Sequence, residues 1–282
     1  MKLVALIVVL MVLLLSLVTM IVPGSDHNTP TNPVAEISKE ITKPLAKVED
    51  IGPEITQALE RSGVRLPTLP GAGDDKTYPD HSLQNHTGAA FANMDLPRAR
   101  FAGATLTGAQ FNGALMDEAN LEGASGENVN FNGARLAEAT LNAALFRNSD
   151  FSGAELRETT ARAADFSSSL FIGGDISFAS FSGATLRSAD FNDVYGVGAV
   201  FAGADLTRAD FTSAELKGVR FEHAVLRGAR FAGADLTAAR FTGARLAGAD
   251  LSGALNLTAE QLADACADAE TRLPEGLAAP RC

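Results

Sequence analysis

From Phe91 to Leu251, large apolar residues recur at every fifth position without insertion or deletion, beginning Phe91, Leu96, Phe101, Leu106 and Phe111. The 33 centres are 15 Phe, 13 Leu, one Met, one Ile and three small residues, and the position two before the centre is Ala in 25 units. A period of five suits neither an α-helix, on which five residues advance about 500°, nor a strand, whose faces alternate at each residue. The main chain must therefore turn a corner in every unit, so that the centre and the Ala before it always point inward. Four corners close a square coil of twenty residues, and successive coils stack through backbone hydrogen bonds at about 4.8 Å. The expected shape is a rod of about eight coils, roughly 40 Å long. Where Phe and Leu alternate, Phe takes two opposite walls and Leu the other two. The small centres Gly126, Ala161 and Gly196 predict thin places in the axis.

Different patterns flank this register. Residues 3–22 are apolar except for Ser16 and Thr19. At ~1.5 Å per residue they match a hydrocarbon core of about 30 Å. The reading for 1–23 is a transmembrane anchor, with a cleaved signal peptide as the alternative, because the exit Ile21-Val22-Pro23-Gly24 lacks a small-residue cleavage site. Lys2 precedes the span and no Lys or Arg follows before Lys39, which orients a single pass with the N-terminus in the cytoplasm and the remainder on the periplasmic or extracytoplasmic side. Residues 24–87 form a Pro-rich linker in which Ile37, Ile41, Leu45 and Val48 recur at helical spacing, broken at Pro44 into short helices. The repeats occupy 88–256. In 257–282, Thr258 and Gln261 make a capping box and Leu257 and Leu262 a hydrophobic staple, predicting a capping helix over 259–269 and a tail.

Composition narrows the chemistry. A net charge of −11 argues against a nucleic-acid binder that relies on a basic surface. Four His and two Cys leave little material for a metal or redox centre. His81 and His86, near Asp80, match no metal-ligand spacing and are assigned to a polar junction ahead of the first coil, while His223 reads as surface. Neither a nucleophile elbow, a phosphate loop nor a zinc helix occurs, and a solid-cored rod offers no cavity for chemistry, so no cofactor, metal or catalytic residue is expected. Cys266 and Cys282 pair if the domain faces an oxidising compartment, closing a loop of about 15 residues at ~3 kcal/mol; in a reduced one they stay thiols.

Outward positions turn apolar near two of the small centres, at Leu170, Ile172, Phe178, Tyr195, Val197 and Val200. Residues twenty apart stack on one wall, so Phe178 comes close to Tyr195 and Val197, with Glu155, Arg157, Glu158, Glu215 and Lys217 nearby. An apolar island with a charged rim is the form of a protein-contact site. Imperfect repeats with scattered surface apolars are the other reading.

The runs AGADLTRADFTSAELKGVRF (202–221) and AGADLTAARFTGARLAGADLSGAL (232–255) resemble the pentapeptide-repeat family, whose pattern is A-(D/N)-L-x-x. That resemblance implies an all-β solenoid, a right-handed quadrilateral β-helix, and no enzymatic activity. The segment TAEQLADACADAETRLPEGL is similar to caps that follow such repeats. Gyrase-protecting members of the family imitate duplex DNA with acidic walls. Here Asp190 with Asp210 and Asp165 with Asp205 make partial ladders, but Arg147, Arg187, Arg227 and Arg245 line one wall and Arg100, Arg162, Arg220 and Arg240 another. Mixed walls make poor mimics. The function expected is a membrane-tethered, non-enzymatic scaffold that binds an unknown protein partner. A DNA-mimic regulator of a topoisomerase-like target is one alternative, and a ligand-binding or enzymatic site where the linker meets the solenoid is the other.

Overall fold

The computed structural model describes residues 78–282. The apolar span 3–22 and the linker segments up to residue 77 lie outside the described residues. Among the described residues no helix is long and apolar enough to cross a membrane.

Each five-residue unit is a turn followed by a single bridging residue. In the unit at Phe101 the centre's carbonyl accepts from the amide of Ala104 at 3.0 Å, and Gly103 between them has φ of 64°. A positive φ at the second turn residue lies in the left-handed region, which glycine enters without steric cost. Arg98, Glu138, Phe178 and Arg208 hold the equivalent position with φ between 57° and 62°. Side chains there have accepted a strained backbone.

The residue before each centre bridges the residue twenty further on, always in parallel, from Asp80 with Arg100 through Asp235 with Leu255. Phe101 donates to the carbonyl of Asn120 at 2.7 Å, and Asn120 donates back to Ala99 at 2.9 Å. Twenty residues therefore make one coil. Four walls follow, numbered here by their centres: the first carries Phe91, Phe111 and onward in twenties, the second Leu96, the third Phe101 and the fourth Leu106.

The centres are buried, and the first wall is an unbroken column of rings from Phe91 to Phe231. Successive rings stack at 4.7 to 5.1 Å, as for Phe131 with Phe151 (4.7 Å) and Phe211 with Phe231 (5.1 Å). Rings on the third wall meet this column edge-on, Phe201 lying 5.6 Å from Phe191 and 5.7 Å from Phe211. That offset suits the ring quadrupoles. The third wall drops to Leu121, Leu141 and Ala161 in mid-rod, and over that stretch Phe146 and Phe166 enter from the fourth wall, 5.4 Å from Phe131 and 5.5 Å from Phe151.

Two of the thin places are filled by their neighbours. A methyl group on Gly196 would stand 2.9 Å from Leu216 Cδ2 and 3.3 Å from Ile176 Cγ1, and one on Gly126 would stand 2.7 Å from Val129 Cγ2. Near Gly126 the turn bond is missing, and hydroxyls replace it. Val129 donates to Ser149 Oγ at 3.1 Å, and Ser149 donates to Ser169 Oγ at 3.0 Å.

Both ends differ from the sequence expectation. The coil begins at Asp80 rather than 88, and His81 and His86 occupy the inward centres of the added units instead of a junction before them. An imidazole is flat like a phenyl ring, and His81 stacks on Phe101 at 4.7 Å and 16°. At the other end the helix α1 spans Ala259–Leu262 only, not 259–269. The capping box is present: Gln261 donates to Thr258 Oγ1, and Thr258 donates to the Gln261 side chain. Beyond Leu262 the chain rejoins the ladder, Cys266 pairing with Arg245 and Arg272 with Asp250. Carbonyls of Ala244 and Ala249 take those amides at 2.9 Å, which removes them from any longer helix. Gln261 Nε2 donates to the carbonyls of Leu236 and Ala239, and Thr271 Oγ1 to that of Leu246, so the last coil's acceptors are met. A disulfide joins Cys266 to Cys282, with Cα atoms 4.7 Å apart.

Candidate protein-docking wall

Phe178 stands at the second turn position of the second wall, φ 59°, with 59% of its surface exposed. Its amide donates to the carbonyl of Val197 at 2.9 Å, and its ring lies over Gly198 on the next coil. Tyr195, 53% exposed, bridges Asp175 on one side and Glu215 on the other. Val197 and Tyr195 lie on the coil that faces Phe178, Tyr195 two residues before Val197. Val200 lies just past the next corner, on the third-wall ladder between Ser180 and Arg220. Leu170 and Ile172 belong elsewhere: Leu170 is laddered between Asp150 and Asp190 on the first wall, a corner before the others. The six candidate residues thus divide into a group of four across one corner and a pair on the preceding wall.

Charges rim the group of four. Arg157 lies 3.7 Å from Asp175, and Lys217 lies 3.9 Å from Glu215 and 3.5 Å from Asp235. Other outward charges are paired this way between stacked coils. On the fourth wall Arg147 meets Asp165 and Arg187 meets Asp205, each at 2.7 Å. Burial pushes the Asp165 carboxyl up, but bonds from the hydroxyl and amide of Ser167 and from Arg147 outweigh it and hold the group below the usual carboxylate range. Exposed pairs of this kind contribute at most about 1 kcal/mol each.

The third wall holds a cluster that the sequence presents only as a line of arginines. Arg220 and Arg240, bridged in the ladder, bring their Nε atoms to 3.2 and 3.1 Å from one carboxylate oxygen, Oε1 of Glu222. Glu222 is 9% exposed, and its Oε2 has no hydrogen-bond partner among the described residues. The available signal was the spacing. In Arg147–Asp165, Arg157–Asp175, Arg187–Asp205 and Glu222–Arg240 alike, the first turn residue of one coil meets the bridging residue eighteen positions later.

Elsewhere the surface is shallow. An open groove on the fourth wall is lined by Arg187, Arg208, Arg227, Asp268 and Glu270. At the start of the coil the His81 and His86 rings meet edge-on at 4.8 Å, and burial, with the His86 charge, pushes His81 below its ordinary pKa against the opposing pull of Asp80. Among the described residues no three His, Cys, Asp or Glu side chains are placed to hold a metal ion. His223 is exposed on the third wall.

The family model for pentapeptide repeats matches eight copies, over residues 87–123, 127–167, 175–212 and 214–253. No curated protein matches the chain. Among solved structures it is similar to HetL, a pentapeptide repeat protein involved in heterocyst differentiation regulation from the cyanobacterium Nostoc sp. strain PCC 7120. The identity is 24%, over 72% of this chain and 94% of that one, with a TM-score of 0.55. Trypsin-treated QnrB1, a plasmid-mediated fluoroquinolone resistance protein, matches at 22% identity over 66% of this chain and 91% of its own, TM-score 0.57. With repeats matched over more than half its length and a stacked square coil beneath them, this chain belongs to the pentapeptide-repeat family, and its rod is a right-handed quadrilateral β-helix.

Proposed function

We propose that this chain is a non-enzymatic scaffold, tethered to a membrane by residues 3–22 and facing the periplasm or cell exterior, that binds a protein through its second wall. The observation that carries this reading is the exposed pair Phe178 and Tyr195 on a rod whose other outward positions are mostly small, polar or ion-paired. Large exposed aromatics grouped within a charged rim are a common form of interface core. The anchor rests on the length and apolarity of residues 3–22, and the outward orientation on Lys2. HetL, with a like fold, is involved in a regulatory process, which accords with a role exercised through partners. The absence of enzymatic activity rests on the packed axis and on the shallow relief of the described surface.

The test is affinity purification of the tagged full chain from solubilised membranes, beside the Phe178→Ser/Tyr195→Ser variant. A protein retained by the first and lost from the second, at equal melting temperature, is expected. Identical capture by both would remove the second wall as the contact, and a reporter fused after Cys282 that responded only in the cytoplasm would remove the orientation.

A further inference from the structure

We propose that Arg220 and Arg240 form a carboxylate clamp, which reads one acidic residue of a polypeptide segment whose apolar side chain seats on Phe178, Tyr195 and Val197. This rests on the docking wall proposed above and specifies the chemistry of its partner. The clamp is built before any partner arrives. Both Nε atoms converge on Glu222 Oε1, at 3.2 and 3.1 Å, so the two long side chains are already aligned. Ordering such side chains is a principal cost of binding, and here Glu222 meets it in the free protein. The terminal nitrogens of both guanidiniums make no other ion pair or hydrogen bond among the described residues, and the side chains remain 48% and 62% exposed.

Charge selects the occupant. Two guanidiniums and one carboxylate leave this spot with one net positive charge on a chain of net −11. One excess charge suits a single carboxylate, which accepts two parallel N–H bonds from a guanidinium. A polyanion would have to lie along the carboxylates of Glu215, Asp205 and Asp235, which flank it on the neighbouring walls.

Spacing then sets a motif. Val200 continues the apolar surface around the corner and is the ladder neighbour of Arg220. Phe178 and Arg220 stand two coils apart along the rod, about 10 Å at ~4.8 Å per coil. An extended segment advancing about 3.3 Å per residue covers that in three to four residues. The fitting ligand carries an aromatic or branched aliphatic residue with Asp or Glu three or four positions away.

A random decapeptide library displayed on phage and panned against the purified full chain in detergent tests this. The expected enrichment is an apolar residue with an acid three or four positions away. For the best peptide, replacing that acid by its amide should weaken binding on the order of tenfold to the native chain and leave binding to Arg220→Gln/Arg240→Gln unchanged. Apolar peptides without an acid preference would overturn the clamp and leave the docking wall standing. Acidic peptides lacking an apolar residue, or binding indifferent to Phe178→Ser/Tyr195→Ser, would overturn the wall instead, and no enrichment at all would overturn both. If the double Gln variant melts early, Arg220→Lys/Arg240→Lys, which keeps the charge but gives up both Nε contacts, takes its place. Binding equal to the native chain there would overturn the pre-aligned clamp.

Discussion

The ring of Phe178 rests on the backbone of Gly198, one coil further along the rod, so closely that a methyl group on Gly198 would lie 2.8 Å from ring atoms Cδ1 and Cε1. Gly198→Ala therefore has to lift the ring and also hold alanine at a φ of 66°. Gly218→Ala, on the same wall and at the same φ, meets nothing within 4 Å and bears the backbone cost alone, about 1–2 kcal/mol. Thermal denaturation should show the first variant to be the less stable of the two. Equal losses would mean that Phe178 is not seated on its neighbour.

Phe201 is fully buried, stacked between Phe181 at 5.3 Å and Phe221 at 5.4 Å. Truncation leaves a cavity flanked by rings that cannot collapse into it, and Phe201→Ala is expected to cost ~3–5 kcal/mol by chemical denaturation. Arg208→Ala, an outward change, should cost under about 0.5 kcal/mol. Similar losses for the two would show the inward register to be misassigned.

Ser169 Oγ accepts from the amide of Ser149 at 3.0 Å and donates to the carbonyl of Phe146 at 2.7 Å, with no exposed surface. Ser169→Ala strands a buried amide and should destabilise the rod by about 1–3 kcal/mol, although alanine is the residue most often found at that position. A neutral or stabilising result in urea titration would show that the turn at Phe146 can re-form its own bond.

Acid should open the first coil. Burial lowers the folded pKa of His81 below the ordinary imidazole value of 6.5, so just below that pH the unfolded chain binds more protons and stability falls as the pH falls. Around this ring stand His86, Asp80 and Arg100, with Phe91 and Phe101 as the apolar contacts. Between pH 7 and 5, amide-exchange protection at Leu83 and Gly88 should drop while that at Gly203 holds. His81→Phe should abolish the difference, and unchanged protection in the native chain would show that proton uptake at His81 is not linked to coil opening.

The inward register was legible because Phe and Leu announce burial wherever they recur. His81 and His86 were not, since an imidazole counts as polar in any hydrophobic pattern although its ring fills the same slot. The capping box at Thr258 could be read, but the length of its helix could not, because the carbonyls of Ala244 and Ala249 that capture the next amides lie twenty or more residues upstream. Of the six outward apolar positions, Leu170 and Ile172 stand a corner before Phe178 and Tyr195, as the twenty-residue coil requires. The pinned arginines needed a finer rule, the spacing of eighteen that joins a turn residue to the next coil's bridge.

Because a full circuit takes twenty residues and each circuit touches only those beside it, gaining or losing one whole circuit would make the rod longer or shorter while every remaining side chain kept its compass direction. Inserting a single unit of five between Phe178 and Arg220 would turn everything downstream by a quarter revolution and carry Arg220 to the wall opposite Phe178. Phe178 and Arg220 would then look out from faces no single ligand could straddle, even though the interior column remained just as well filled.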